Sequence, residues 1–313
     1  MNRLSWVWSK LGVMTALLSA SLLSMSAGAI NFQAPMDESS WAVDGSIFEC
    51  RMTQDIPYFG QAVFERLAGE ASSFYLNSKT ARMRTGKASL EATAPVWKPY
   101  GQRDNLGWVD VAQGKQPVLV GSRQSMRMLA ELSQGQEITI TRKPWYGDEE
   151  SLRVSLSTVS FQAAYRQYLD CLATLLPVNF EQIARTAIYF PSGREELKPS
   201  EMLKLQHIIT YVAADPSVTS FFIDGHTDGV GGRGENLDLS KLRAERVTKF
   251  LTDQGIPSDQ VATRWHGERY PVTTNRTRKG RAQNRRVTIR LEKEGGPSIP
   301  PRNDKLPTLA ANP

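Results

Sequence analysis

The 313-residue chain holds only three histidines, His207, His226 and His266, and only two cysteines, Cys50 and Cys171. The histidines share none of the short spacings that put two ligands on one face, so a metal centre is not expected. No Gly-x-Ser-x-Gly elbow offers a nucleophile, and no histidine precedes His207 to activate one. No pair of carboxylates stands out as a glycosidase dyad. With catalytic residues, cofactor and metal all unsupported, the chain reads as a protein that binds and not as an enzyme. Long apolar runs are scarce as well: beyond residue 29 nothing is long enough to cross a bilayer as a helix.

What is present starts with the first 29 residues. Arg3 and Lys10 precede the apolar run Leu11 to Leu23, and Ser26-Ala27-Gly28-Ala29 supplies a small-x-small ending. Residues 1–29 therefore read as a secretory signal peptide cleaved after Ala29, with an uncleaved anchor as the alternative. No cysteine follows the run, which excludes a bacterial lipid anchor there. In an exported chain an even pair of cysteines is expected to bridge; two separately buried thiols are the alternative. Such a bridge would close about 120 residues and stabilise the fold by ~4–5 kcal/mol in the loop-entropy model.

The net charge is +6, and the excess gathers late, in Arg264, Arg269, Arg276, Arg278, Lys279, Arg281, Arg285, Arg286 and Arg290. A basic surface suits nucleic acid or any other anionic polymer. Export favours the second, and no nucleic-acid partner is expected.

Residues 30–177 read as short strands and turns, clearest at Phe48–Met52, Ala62–Arg66, Ser73–Leu76, Pro117–Val120, Ile138–Thr141 and Leu152–Leu156. Two helices interrupt them. One covers Ser122 to Ser133, with Met126, Leu129, Ala130 and Leu132 inward. The other runs from about Val159 to Leu176, with Phe161, Ala164, Tyr165, Tyr168, Leu172 and Leu175 on one stripe. Trp41, Trp97, Trp108 and Trp145 could line a groove, but packing is the plainer role for most of them.

Residues 178–292 alternate strand and helix after a short connector at 178–183. Strands are expected at 186–190, 218–224, 261–265 and 287–291, and helices at 199–213, 237–254 and 277–282. That order predicts a compact α/β sandwich with its helices on one face of the sheet. From 293 to 313, Gly295, Gly296, Pro297, Pro300, Pro301, Pro307 and Pro313 leave little to bury, so a disordered tail is expected.

The chemically informative stretch is Gly225 to Arg243. Gly229, Gly231 and Gly234 satisfy G-x-G-x-x-G between a strand and a helix. His226-Thr227-Asp228 intervenes before the glycines, and no ribose-binding acid ends the next strand, so a dinucleotide cradle is rejected. His226 with Asp228 could form a hydrogen-bonded pair of structural purpose. Arg243 falls at the edge of the helix stripe that carries Leu239, Val247, Phe250 and Leu251, turned back towards the turn. Asp228 and Arg243 either brace each other or flank a zwitterionic ligand, with Arg243 taking its carboxylate and Asp228 its ammonium. Alanine at either position is expected to abolish binding and leave the fold intact.

Two resemblances sharpen this reading. Met36–Trp41, Phe48–Met52, Ile56–Gly60, Ala62–Phe64, Pro95–Pro99 and Tyr168–Cys171 resemble the N-terminal domain of the MotY family, periplasmic proteins of polar flagellar motors. That resemblance spans most of residues 35–175 and implies a disulfide between Cys50 and Cys171. Residues 180–292 resemble the OmpA C-terminal-like peptidoglycan-binding domain. The matching positions are Gly225–Asp228, Asn236, Leu239-Ser240, Arg243-Ala244, Gly255-Ile256, Gly267-Glu268, Pro271, Asn275, Gly280–Ala282 and Asn284–Val287. This implies a β-rich N-terminal interaction domain joined to an OmpA-like α/β sandwich.

The second resemblance implies non-covalent binding of the peptidoglycan stem peptide through meso-diaminopimelate. Asp228 and Arg243 fall on the gripping positions and Asn236 and Leu239 on the pocket lining, with Thr227, Asn284, Arg285 and Arg286 in support. Tyr189–Gly193 departs from the family, many members of which carry aspartates there. The implied location is the periplasm, on peptidoglycan and the flagellar basal body. The implied partners are a MotX-like protein and the stator units, which a T-ring-like assembly would help to anchor. A general envelope tether without a flagellar role is the alternative.

Overall fold

The computed structural model describes residues 29–80, 82–98, 103–144 and 151–294. The expected signal peptide up to Gly28, Trp145 and the expected tail beyond Glu294 lie outside the described residues. Two hydrophobic cores organise the rest, one on each side of residue 177.

The first is built on ten strands: β1 (Ala29–Phe32), β2 (Trp41–Gly45), β3 (Glu49–Ile56), β4 (Gly60–Leu67), β5 (Ser73–Ser78), β6 (Gly86–Thr93), β7 (Arg103–Val111), β8 (Val118–Val120), β9 (Glu137–Arg142) and β10 (Ser151–Leu156). They form one sheet in the order β1-β10-β9-β6-β7-β8-β5-β4-β3-β2. Period-two patterning drives it: in β3, Cys50, Met52, Gln54 and Ile56 are buried while Arg51, Thr53 and Asp55 face outward. The sequence pattern misses β1, β2, β6 and β7. In β6 the inward residues are Ala88, Leu90 and Ala92, which have little intrinsic strand preference. Eight registered pairs with β7 hold the strand in place instead.

Helix α1 (Ser122–Ser133) sits where expected but is turned about its axis. Met126 and Ala130, expected inside, are exposed, and Ser125 and Met128 take inward positions. Ser125 is tolerated there because its Oγ donates to the Ser72 carbonyl at 3.1 Å. Helix α2 (Phe161–Thr174) buries Phe161, Ala164 and Tyr168, with Tyr165, Leu172 and Leu175 half-buried against the same core. It carries Cys171 to Cys50 of β3, and the two form a disulfide. Of the tryptophans, Trp41 packs in the core, stacked edge-on against Phe161, whereas Trp97 and Trp108 are exposed.

The second unit does not begin with a plain connector. Residues 180–183 form a short helix, α3 (Phe180–Ile183), closed by a capping box between Asn179 and Gln182. Then follow β11 (Arg185–Tyr189), α4 (Pro199–Ala214), β12 (Val218–Gly225), α5 (Arg233–Asp253), a 3₁₀ turn at Ser258–Gln260, β13 (Val261–Trp265), α6 (Arg278–Asn284) and β14 (Arg286–Lys293). The sheet order is β11-β14-β12-β13, with only β12–β13 parallel. The α/β sandwich expected from the alternation is the fold observed. Leu205 and Ile208 of α4 and Ala244, Val247 and Leu251 of α5 pack onto Phe221, Ile223, Val287 and Ile289. At Gly225 strand and helix come so close that a Cβ would lie 2.2 Å from the Ser240 carbonyl oxygen, so only glycine fits. β14 continues through Lys293, the first residue of the expected tail, and Lys293 pairs with Asp215 at 2.8 Å.

The two units are joined tightly. Phe48 of the first packs into the second core, with its ring 5.6 Å from that of Tyr211. The Leu176 backbone amide donates to the Ile47 carbonyl at 2.9 Å, and the Gln182 side-chain Nε2 donates to the Gly69 carbonyl at 2.9 Å. Gly69 has a φ of +69°, and a Cβ on it would sit 2.7 Å from Val178 Cα, so the turn needs glycine.

Candidate functional site

Strand β12 ends at Gly225, and the chain runs through His226, Thr227 and Asp228 into the turn before α5. The helix opens at Arg233, four residues earlier than the pattern predicts, so Gly234 lies in its first turn. Only Gly231 of the three fingerprint glycines has a left-handed φ, of +97°. The three glycines therefore do not share one backbone conformation.

Asp228 is 5% exposed. One carboxylate oxygen accepts from the Val230 amide at 3.2 Å, and the other accepts from Arg285 at 2.8 Å. Arg243 is fully buried, and it does not brace Asp228 directly. Its Nε donates to the Arg194 carbonyl (2.9 Å), one terminal nitrogen to the His226 carbonyl (3.3 Å) and the other to the Pro191 carbonyl (2.9 Å). The guanidinium carbon lies 5.3 Å from the centre of the Phe190 ring. Of the two pairings weighed from the sequence, the Asp228–Arg243 brace is thus corrected: the direct partner of Asp228 is Arg285. The reason is topological, because β14 lies beside both β11 and β12 and delivers Arg285 to the turn. Burial above all, then the neighbouring Arg285, lowers the Arg243 pKa to about 10, while Asp228 acts the other way.

Gly267 gathers the remaining residues. The Thr227 amide donates to the Gly267 carbonyl at 2.9 Å, and the Gly267 amide donates to Ser240 Oγ at 3.0 Å. The Asn236–Leu237 backbone packs against the Cα side of Gly267, and the buried Asn236 side-chain Nδ2 donates to a Glu268 carboxylate oxygen at 2.6 Å. Leu239 is half-buried on the same first turns of α5. Asn284 is fully buried and shapes the neighbouring loop, accepting from the Val272 and Thr273 amides and donating to the Thr273 carbonyl and Asn275. Arg286 is buried and donates to the Tyr270 carbonyl at 3.3 Å.

A group not singled out beforehand adjoins the turn. Asp224 accepts both Nε and a terminal nitrogen of Arg264 (2.8 and 3.0 Å) and lies 2.9 Å from His266 Nε2. The His266 ring stacks at 5.1 Å on that of His226. The signal available in the sequence is spacing: Asp224 and His226 are two apart across the end of β12, and Arg264 and His266 are two apart across the end of β13. His226 therefore does not pair with Asp228. Its Nδ1 is buried without a partner, as is Thr227 Oγ1.

Burial, with help from Arg286 and His266 against a weaker pull from Asp224, depresses the His226 pKa to about 3. The unfolded chain then binds a proton below about pH 6.5 that the folded chain refuses until about pH 3. Stability contributed by this residue falls as pH drops through that window, by up to ~1.4 kcal/mol per unit. Urea unfolding of wild type and His226→Gln between neutral pH and pH 4 should give a shallower acid loss for the variant. Parallel curves would remove His226 as the source.

Family comparisons agree with this two-part build. Residues 32–177 match the MotY N-terminal domain and residues 189–285 the OmpA family. The chain is 31% identical over 286 residues to the sodium-type flagellar protein MotY of Vibrio parahaemolyticus, covering 90% of this chain and 96% of that one. The peptidoglycan-binding protein ArfA of Mycobacterium tuberculosis is 35% identical over 102 residues, 33% of this chain and 31% of its own. A crystal structure of the peptidoglycan-associated lipoprotein from Burkholderia pseudomallei aligns at 27% identity and TM-score 0.32, over 34% of this chain and 89% of that one. With one likeness running almost end to end, the chain belongs to the MotY family.

Proposed function

We propose that the chain is a periplasmic protein of the flagellar basal body that grips peptidoglycan non-covalently, without catalysis, and helps to anchor stator units in a T-ring-like assembly. The reading draws on the family, on the name of the mycobacterial relative and on one observation: two arginines and one carboxylate enclosed at a single turn. Two guanidiniums against one carboxylate leave a local excess of positive charge, which suits a ligand carboxylate. Asp228 suits an ammonium beside it. A zwitterion such as the free end of meso-diaminopimelate in a stem peptide satisfies both. Asn236 and Leu239 would line the pocket, with Thr227, Asn284, Arg285 and Arg286 holding its walls.

Arg243 has no exposed surface, and each terminal nitrogen retains N–H capacity beyond the bond it makes. A ligand carboxylate would take those remaining N–H groups, and contact with Arg243 requires its fully buried guanidinium to become accessible. The segment that supplies the Pro191 and Arg194 carbonyls overlaps Tyr189–Gly193, where the sequence departs from the family pattern, and in this chain backbone oxygens are the resting partners of Arg243. The first domain, tied by its disulfide and docked through Phe48, would meet the motor or a MotX-like partner.

The test is co-sedimentation with purified peptidoglycan sacculi. Asp228→Asn keeps the shape of the side chain and removes its charge, and should lower affinity at least ~30-fold, as expected for a lost buried charge-assisted contact of about 2 kcal/mol or more. Unchanged co-sedimentation would end the assignment. Loss of swimming with intact flagella on deletion separates the motor role from that of a general tether.

A further inference from the structure

Between Arg269 and Arg286 the chain carries seven cations and no acidic residue. Three of the seven are engaged. Arg281 donates to the Asn275 and Arg276 carbonyls, Arg285 to Asp228 and Arg286 to the Tyr270 carbonyl. The other four, Arg269, Arg276, Arg278 and Lys279, are exposed, and among the described residues none makes a side-chain hydrogen bond or ion pair.

Their positions are set by built structure. The carboxamide of Asn284, fully buried, ties together Val272, Thr273 and Asn275, and Gly280 packs so closely that a Cβ would lie 2.0 Å from the Thr274 carbonyl oxygen. The Asn275 side chain in turn comes within 3.0 Å of where a Cβ on Gly229 would stand, in the turn that carries Asp228. Arg276 is the next residue. The loop that carries Arg276 therefore lies against the turn that carries Asp228, with Arg269 earlier in the same loop and Arg278 and Lys279 at the start of α6.

We propose that Arg269, Arg276, Arg278 and Lys279 make a second, electrostatic contact with peptidoglycan, to the free carboxylates of stem peptides neighbouring the one held at Asp228. This rests on the pocket reading above and extends it from one stem peptide to the polymer. Four solvated side chains with no neutralising partner do not enclose a single small ligand. They act through the summed field on a repeating anion, reaching about 8 Å at physiological salt. Such a contact speeds capture and is strongly salt-dependent, whereas the enclosed pocket is screened far less.

The experiment compares the full mature chain with a variant in which all four residues are glutamine, and with Asp228→Asn. Each is measured on purified sacculi at ~50 mM and ~300 mM salt, and on a soluble single stem peptide ending in meso-diaminopimelate. Thermal unfolding midpoints check that all three fold. The four-residue variant should bind sacculi about tenfold more weakly at low salt, converge on wild type at high salt, and bind the soluble peptide normally. Equal affinity and equal salt slope on sacculi would overturn the second contact. Vesicles containing phosphatidylglycerol supply a further arm: capture by vesicles that depends on the four residues, with no such dependence on sacculi, would also overturn it, in favour of a membrane surface. Failure of the pocket has a different signature, an Asp228→Asn chain that binds the soluble peptide as wild type does.

Discussion

Arg243→Ala should destabilise the C-terminal unit by roughly 3 kcal/mol or more and release the segment 191–197, because three carbonyls lose their donor and each buried unpaired acceptor costs ~1 kcal/mol or more. The carbonyls are those of Pro191, Arg194 and His226, and the side chain that satisfies them is fully enclosed. This revises the expectation, natural from the sequence, that alanine at Arg243 would leave the fold intact. Lysine should rescue little, since one ammonium cannot span three oxygens set by a planar fork. Urea denaturation monitored by tryptophan fluorescence, alongside hydrogen exchange at residues 191–197, reads both effects. A variant with the wild-type midpoint and unchanged exchange would show that water replaces the guanidinium, and that Arg243 is not structural. If Arg243→Ala loses stability as expected, loss of binding in that variant does not by itself report on the site, and Asp228→Asn is the cleaner probe.

Removing the Cys50–Cys171 bridge should cost ~4–5 kcal/mol, because it closes a loop of 121 residues. The effect is expected to pass beyond the first core. The bridge fixes α2 on β3, and just past that helix the Leu176 amide bonds the Ile47 carbonyl beside Phe48, the residue that enters the second core. A loosened α2 therefore loosens the joint. Cys50→Ser alone places a hydroxyl where the cysteine is fully buried, so the paired Cys50→Ala and Cys171→Ala variant separates loss of the bridge from polar burial. Denaturant midpoints of the oxidised chain, the reduced chain and the double variant should fall in one large step. Limited proteolysis should show new cleavage near residues 176–183. If reduction leaves the midpoint unmoved, the bridge contributes nothing to stability.

Several features were open to reading because they depend on local order. Phe48 to Met52 reads as a strand from its composition, and β3 contains all of it but Phe48, extending four residues further to Ile56. The Val218–Gly225 run, the glycine turn and the long amphipathic stretch announce a strand, a loop and a helix. Other features were hidden for physical reasons. β6 holds one β-branched residue, Thr93, and is kept in place by β7 on one side and β9 on the other. The rotation of α1 turns on Ser125, a polar residue made acceptable inside by one distant carbonyl. Four residues show no periodicity, so α3 is indistinguishable from a connector in the sequence, and its capping box becomes meaningful only with Ile183 in the core.

The amino-acid order by itself determined the two-part build, the cysteines available to bridge, and the placing of Asp228 and Arg243 at the two ends of one turn and helix. Only the tertiary structure decided what those two charges meet. Asp228 faces Arg285, 57 residues further on, and Arg243 faces carbonyls 49 and 52 residues back. Those distances along the chain are spanned because β14 pairs with both β11 and β12, with Tyr189 opposite Arg286 and Gly225 opposite Val287. The partner of a buried charge is set by which strands lie side by side, and no local pattern states that.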